Sequence, residues 1–203
     1  MLTYLVLGVS YGFAAAVQPG QLQAYLISQT MTNGWQRTLP AAFAPLVSDA
    51  PIICLVLFVL TRMPGWLLQS VQIAGGLFLL YLAYGAFQSV RHYQRAAALP
   101  ARARVTFVRA VLLNFLNPNP YVGWTFILGP LLLRAWREQP ASGIALVTAF
   151  YATMVTGTAA IVMLMAAART LGTRVARVLV AIAAVALAAF GGYQLWAGTT
   201  TVR

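Results

Sequence analysis

The chain has 203 residues, 61% of them hydrophobic and 7% charged, and a mean hydropathy of +0.80. Soluble domains carry about 25% charged residues, so a soluble fold would leave most of its apolar faces wet. The net charge of +11 comes from 13 arginines against two acids, Asp49 and Glu138. Those arginines fall between apolar runs, where they read as topology and headgroup signals rather than as a nucleic-acid surface.

The pattern predicts an all-α polytopic membrane protein, a single transmembrane domain over 1–203, with about six spans near 3–31, 40–61, 67–90, 110–133, 143–168 and 178–197. Residues 1–16 lack the basic start of a signal peptide, and apolar sequence resumes beyond them, so the segment reads as retained. The first span is too long for one straight crossing. Its helix would run about 43 Å against a hydrocarbon core of about 30 Å. It must tilt, protrude or break, and Pro19-Gly20 near its middle favours a break.

Loops after the first, third and fifth spans hold Arg37, then Arg91, Arg95, Arg102, Arg104 and Arg109, then Arg169, Arg174 and Arg177. The other side holds Arg62, Arg134, Arg137 and Arg203. Nine against four places the odd loops in the cytoplasm and both termini outside. Trp35, Trp66, Trp136 and Trp196 sit near span ends as an aromatic belt, whereas Trp124 falls inside the fourth span. A basic cytoplasmic loop at 91–109 divides repeat one (1–90) from repeat two (110–203), three spans each. An odd-numbered repeat must be inverted in the membrane, and inverted repeats with breaks at matching places mark secondary transporters. The first span breaks at Gln18-Pro19-Gly20-Gln21, and the fourth carries Asn114 to Pro120, "NFLNPNP".

Proline donates no backbone hydrogen bond and clashes with the carbonyl four residues back. Pro19 therefore frees the carbonyl of Ala15, and Pro118 that of Asn114. Bare carbonyls survive in a membrane only against protein or a wet cavity. The half-helix after Gly20 would turn N–H groups and a positive dipole end inward, a seat for a carboxylate. A packing kink is the plainer reading of either break alone. Two breaks flanked by Gln18, Gln21, Asn114 and Asn117 favour a substrate site.

The second span, "LPAAFAPLVSDAPII", holds Pro45 and Pro51 and the only acid in any span, Asp49. A charged, unpaired carboxylate there costs at least about 3 kcal/mol, and no span holds a basic residue near its centre to pair with it. Two arrangements remove the cost. The group carries a proton, the state that loss of water favours, or it lines a wet cavity and meets a cationic substrate. A protonated Asp bonded to a neighbouring span is the plainer alternative. Gly8 and Gly12, Gly75-Gly76 and Gly191-Gly192 read as close-packing points between helices. Gln23, Ser28 and Gln29 fall on the expected inner side of the first span. His92 belongs to the basic loop.

Four stretches together resemble the LysE/RhtB family of amino-acid exporters: "GFAAAVQPGQLQAYLISQTMTNGW", "SDAP", "GGLFLLYLAYGAF" and "FVRAVLLNFLNPNPYVGW". The resemblance covers nearly the whole chain and is strongest before Ala86. It implies a small six-helix protein of the bacterial inner membrane, exporting amino acids or related metabolites and driven by the proton motive force. Carried over position by position, it points to Pro19, Gly20, Asp49, Asn117 and Pro118. Three positions depart from the family pattern. Gln21 stands where a second proline is usual, Ala44-Pro45 where a glycine is common, and Asn119 where a basic residue is usual. Basic amino acids are therefore not to be assumed as substrate.

The leading expectation is a secondary exporter, not an enzyme, with a small-molecule substrate, protons and the lipid bilayer as partners; pairing with a second copy stays open. No cofactor or metal is expected. A metal-ion exporter is the runner-up, poorly served by one Asp, one buried Cys (Cys54) and no His within a span. A non-specific channel is a further alternative. An intramembrane hydrolase would need more catalytic groups than the spans hold.

Overall fold

A computed structural model describes residues 1–18, 20–59, 65–91 and 102–200. Among them the chain forms ten α-helices and no strand. The first two, α1 (Leu2–Val17) and α2 (Gln21–Asn33), lie at 58° to one another. The long first span therefore breaks where Pro-Gly predicts. Pro19 itself, like Arg62, His92, Arg95 and Arg203, lies outside the described residues.

A short α3 (Trp35–Thr38) and a 3-10 turn (Leu39–Phe43) lead into α4 (Ala44–Val59), which carries Pro51 in its interior. Then come α5 (Gly65–Arg91), α6 (Ala103–Phe115), α7 (Pro118–Gly123), a π-helical turn over Trp124–Leu128, and α8 (Gly129–Glu138). Two long helices close the chain, α9 (Pro140–Arg169) and α10 (Thr173–Thr200). Positive φ at Gly34 and Gly172, which favours glycine, turns the chain after α2 and between α9 and α10. Helix α6 starts at Ala103, so the last residues of the expected basic loop, 103–109, are helical.

Four stretches are long and apolar enough to cross a membrane: Trp35–Val56, Ile73–Arg91, Pro140–Arg169 and Thr173–Thr200. The bent pair α1–α2 makes a fifth when taken as one span. The expected fourth span is divided among α6, α7, the π-helical turn and α8.

Small residues set the helix pairs. A Cβ on Gly8 would lie 2.5 Å from the Leu146 carbonyl oxygen, and one on Gly12 would run into that of Phe150, so α1 lies directly against α9. A Cβ on Gly76 would meet the Gly191 carbonyl at 2.9 Å, so α5 and α10 approach just as closely. The packing points expected from the glycines thus fall in two helix pairs, α1–α9 and α5–α10. Between the pairs lies a core of Leu22, Tyr25, Leu26, Leu79, Leu113 and Leu187. Near the ends of the bundle Trp136 and Trp196 are exposed, whereas Trp124 is buried.

Candidate functional site

Both helix breaks are closed by side chains of the chain itself. Gln23 Nε2 donates to the carbonyls of Ala15 at 3.3 Å and Ala16 at 3.1 Å. Those are the oxygens left over where α1 stops. At the second break Tyr121 donates to the Phe115 carbonyl at 2.9 Å and Gln194 Nε2 to that of Leu116 at 3.4 Å. The Asn114 carbonyl accepts from the Asn117 backbone N–H at 3.2 Å. The freed acceptors are therefore satisfied internally, as an apolar environment demands. What the first break leaves open is its donors. Gly20 caps α2 in an extended conformation with no side-chain cap, so the first N–H groups of α2 have no partner within the helix.

Asp49 lies on α4 opposite the second break. Asn114 Nδ2 donates to Asp49 Oδ1 at 2.8 Å and to Ser48 Oγ at 2.7 Å, and the Ser48 hydroxyl in turn donates to the Ala44 carbonyl at 3.0 Å. The Tyr151 hydroxyl, from α9, donates to Asp49 Oδ2 at 3.0 Å. The carboxyl is 4% exposed, and both oxygens accept a hydrogen bond from a neutral donor. Among the described residues no basic side chain pairs with it. Tyr151 can donate or accept, whereas the Asn114 amide nitrogen only donates. A proton can therefore sit on Oδ2, facing Tyr151, without rearranging the Asn114 side.

Asp49 and Asn114 border a cavity of about 400 Å³. Its wall includes Gln18, Gly20, Gln21, Asp49, Asn114 and Asn117, so six of the eight residues singled out from the sequence come together around one space. Pro118 begins α7 beside it and is not part of the wall; Pro19 lies outside the described residues. Among the described residues of the wall Asp49 is the only charged one. The Gln21 side chain is buried on that wall. Gln23, Asn119 and Thr158 add polar groups, and much of the rest of the wall is apolar or aromatic, including Tyr11, Leu22, Trp124, Phe150 and Met154, with Trp124 and Phe150 packed edge to face at 6.2 Å.

Sequence reasoning missed Tyr151, a single hydroxyl in an apolar helix that carries no local signal. It also missed the closing role of Gln23, although it placed that residue on the inner side. Trp124 did stand out, because it lies away from the interfacial belt. Ser28 is buried but does not border the cavity, and Gln29 borders a different one. Cys54 was expected to be buried; it is exposed. Among the described residues no group of three or more His, Cys, Asp or Glu side chains is placed to hold a metal ion.

A model of the LysE type translocator family matches residues 13–198. The chain belongs to that family. It is a multi-pass membrane protein of a translocator family rather than an enzyme. Curated relatives of this LysE-type chain include the arginine exporter protein ArgO of Escherichia coli (strain K12) and of Shigella flexneri, each 27% identical over 138 residues. ArgO of Klebsiella pneumoniae (strain 342) is 29% identical over the same length. Each match covers 64% of this chain and spans 64% of the relative's length. No solved structure matches the LysE-type chain.

Proposed function

We propose that the chain is a secondary exporter of amino acids or related small metabolites in the bacterial inner membrane, working by alternating access around the Asp49 cavity. The observation that carries this reading is the meeting of both helix breaks and the only carboxyl in the apolar core at one cavity. Family membership and the exporter names of the relatives support it. In this reading the substrate carboxylate takes the unpaired N–H groups at the start of α2, and Asp49 takes the substrate amine or a proton drawn from the proton motive force. The broken run from α6 to α8 supplies the sixth crossing of an inverted three-plus-three arrangement. The arginine-rich loops face the cytoplasm, with both termini outside.

The charge supply of the cavity favours amino acids with uncharged side chains. A zwitterion uses one acidic partner for its amine, and the wall holds one acid. An arginine substrate adds a guanidinium that would need another carboxylate. The reading is tested by feeding dipeptides to cells that lack or overproduce the protein and measuring the amino acids inside and outside. Faster appearance of one or a few amino acids in the medium, dependent on the protein, is the expected result. Identical efflux with and without it, for every amino acid tried, would overturn the proposal.

A further inference from the structure

A second cavity, of about 380 Å³, lies between α2, α5 and α6 and shares no wall residue with the first. Among the described residues of its wall Arg109 is the only charged one. Arg109 as a whole is partly buried; its guanidinium donates from Nη2 to the exposed Tyr81 hydroxyl at 3.3 Å and sits 5.8 Å from the centre of that ring. It meets neither acid of the chain. Asp49 is engaged by Asn114 and Tyr151, and Glu138 is paired with Arg134 at 3.2 Å. A guanidinium has five N–H donors and cannot shed its charge. With neither acid of the chain against it, it is open to an anion.

A second observation points the same way. Thr32 lines this cavity, is 6% exposed, and its hydroxyl has no hydrogen-bond partner among the described residues. A buried hydroxyl without a partner is costly, a cost that a ligand oxygen reaching it would remove.

The setting tells which anion fits. The cavity lies beside the last turns of α5, which ends at Arg91; at about 1.5 Å per residue, Tyr84 is roughly 10 Å from that end. That is headgroup depth, on the side of the molecule that carries most of the arginines. By the positive-inside rule this side faces the cytoplasmic leaflet, which holds the anionic lipids. Tyr81 and Tyr84 are 56% and 65% exposed, as interfacial tyrosines are. Below them Leu77 and Leu80 leave an apolar strip of α5 uncovered, a bed for acyl chains.

We propose that this cavity holds the phosphate of an anionic phospholipid, with Arg109 as its counter-charge and Thr32 as a hydrogen-bond donor. The lipid would tie α2, the second half of the broken first span, to α5 and α6. The site is independent of the transported substrate.

The test is native mass spectrometry of the full chain, released from membranes containing equal phosphatidylglycerol and phosphatidylethanolamine. The unaltered protein should retain phosphatidylglycerol preferentially. Arg109→Gln should lower that preference about fivefold, the worth of one arginine near an anionic surface. Arg109→Lys, which keeps the charge should Gln prevent folding, should lower it less. Arg134→Gln, whose arginine is exposed and already paired, should leave it unchanged. Equal retention of the two lipids by the unaltered protein would overturn the proposal, as would a preference indifferent to Arg109. Displacement of the lipid by millimolar inorganic phosphate would make this a soluble-anion site and would overturn it too.

Discussion

The Tyr151 hydroxyl lies 3.0 Å from Asp49 Oδ2 and joins α9 to α4 at the only carboxyl in the apolar core. The other oxygen of the same group is held by Asn114 of α6, at the second helix break. Three helices far apart in sequence thus converge on one titratable group. Any rocking of one half of the bundle against the other must stretch or exchange these bonds. Tyr151→Phe removes one donor and leaves the ring in place. It should lower efflux by about tenfold, the equivalent of one hydrogen bond to a charged or polar partner, and shift its pH profile while the protein stays folded. An unchanged rate and profile would make Tyr151 a packing residue only.

Asp49→Asn is nearly isosteric. Its oxygen can still accept from Asn114, and its amide can donate to the Tyr151 hydroxyl. The variant should fold, as read by its elution as a single species in detergent. Its transport should be lost or should no longer vary with pH. Normal transport at every pH would remove Asp49 from the mechanism.

Two glycines separate function from packing. Gly20 borders the cavity, its backbone is extended, and a Cβ there would meet nothing closer than 3.5 Å. Gly20→Ala should therefore leave thermal stability unchanged and weaken substrate affinity, because the methyl group stands where the substrate would approach the α2 N–H groups. At Gly12 a Cβ would run into the Phe150 carbonyl. Gly12→Ala should lower stability by about 1–3 kcal/mol, the usual cost of overpacking, whatever the substrate. Thermal melts of the two variants, with efflux measured alongside, distinguish these roles.

Gln23→Leu strands the carbonyls of Ala15 and Ala16. Leaving buried acceptors unpaired costs about 1–3 kcal/mol, so the variant should melt earlier or lose its ordered break. Gln23→Glu, which brings no amide donor, should do the same. If both variants melt like the unaltered protein, water or lipid serves those carbonyls instead.

What the sequence made legible was what violated an apolar helix. Gln18 to Gln21 interrupt the first span, Asp49 is an acid where none is cheap, and Asn114 to Pro120 interrupt the fourth. Each breaks a local rule, and the structure gathers most of them at one cavity. Contacts that break no rule stayed hidden. Tyr151 fits an apolar helix as well as its neighbours do, and only the packing of α9 against α4 gives its hydroxyl a partner. Gln23 read as one more polar residue of the inner face, because closing a break depends on how α2 turns back at 58°. The exposure of Cys54 depends on which side of α4 its neighbours cover, and a helix apolar on every side does not encode that. The expected fourth span also lost its outline, since its prolines and the π-helical turn divide 103–138 into pieces each too short to cross alone.

The measurement that bears most directly on the central claim is efflux from proteoliposomes loaded with a mixed amino-acid panel, under an imposed proton gradient, with Asp49→Asn as the paired control. The account predicts selective loss of one or a few amino acids with uncharged side chains, little loss of arginine, and no gradient-dependent loss in the variant. Folded protein that releases none of the panel, or releases all of it alike with or without the Asp49 carboxyl, would contradict the account.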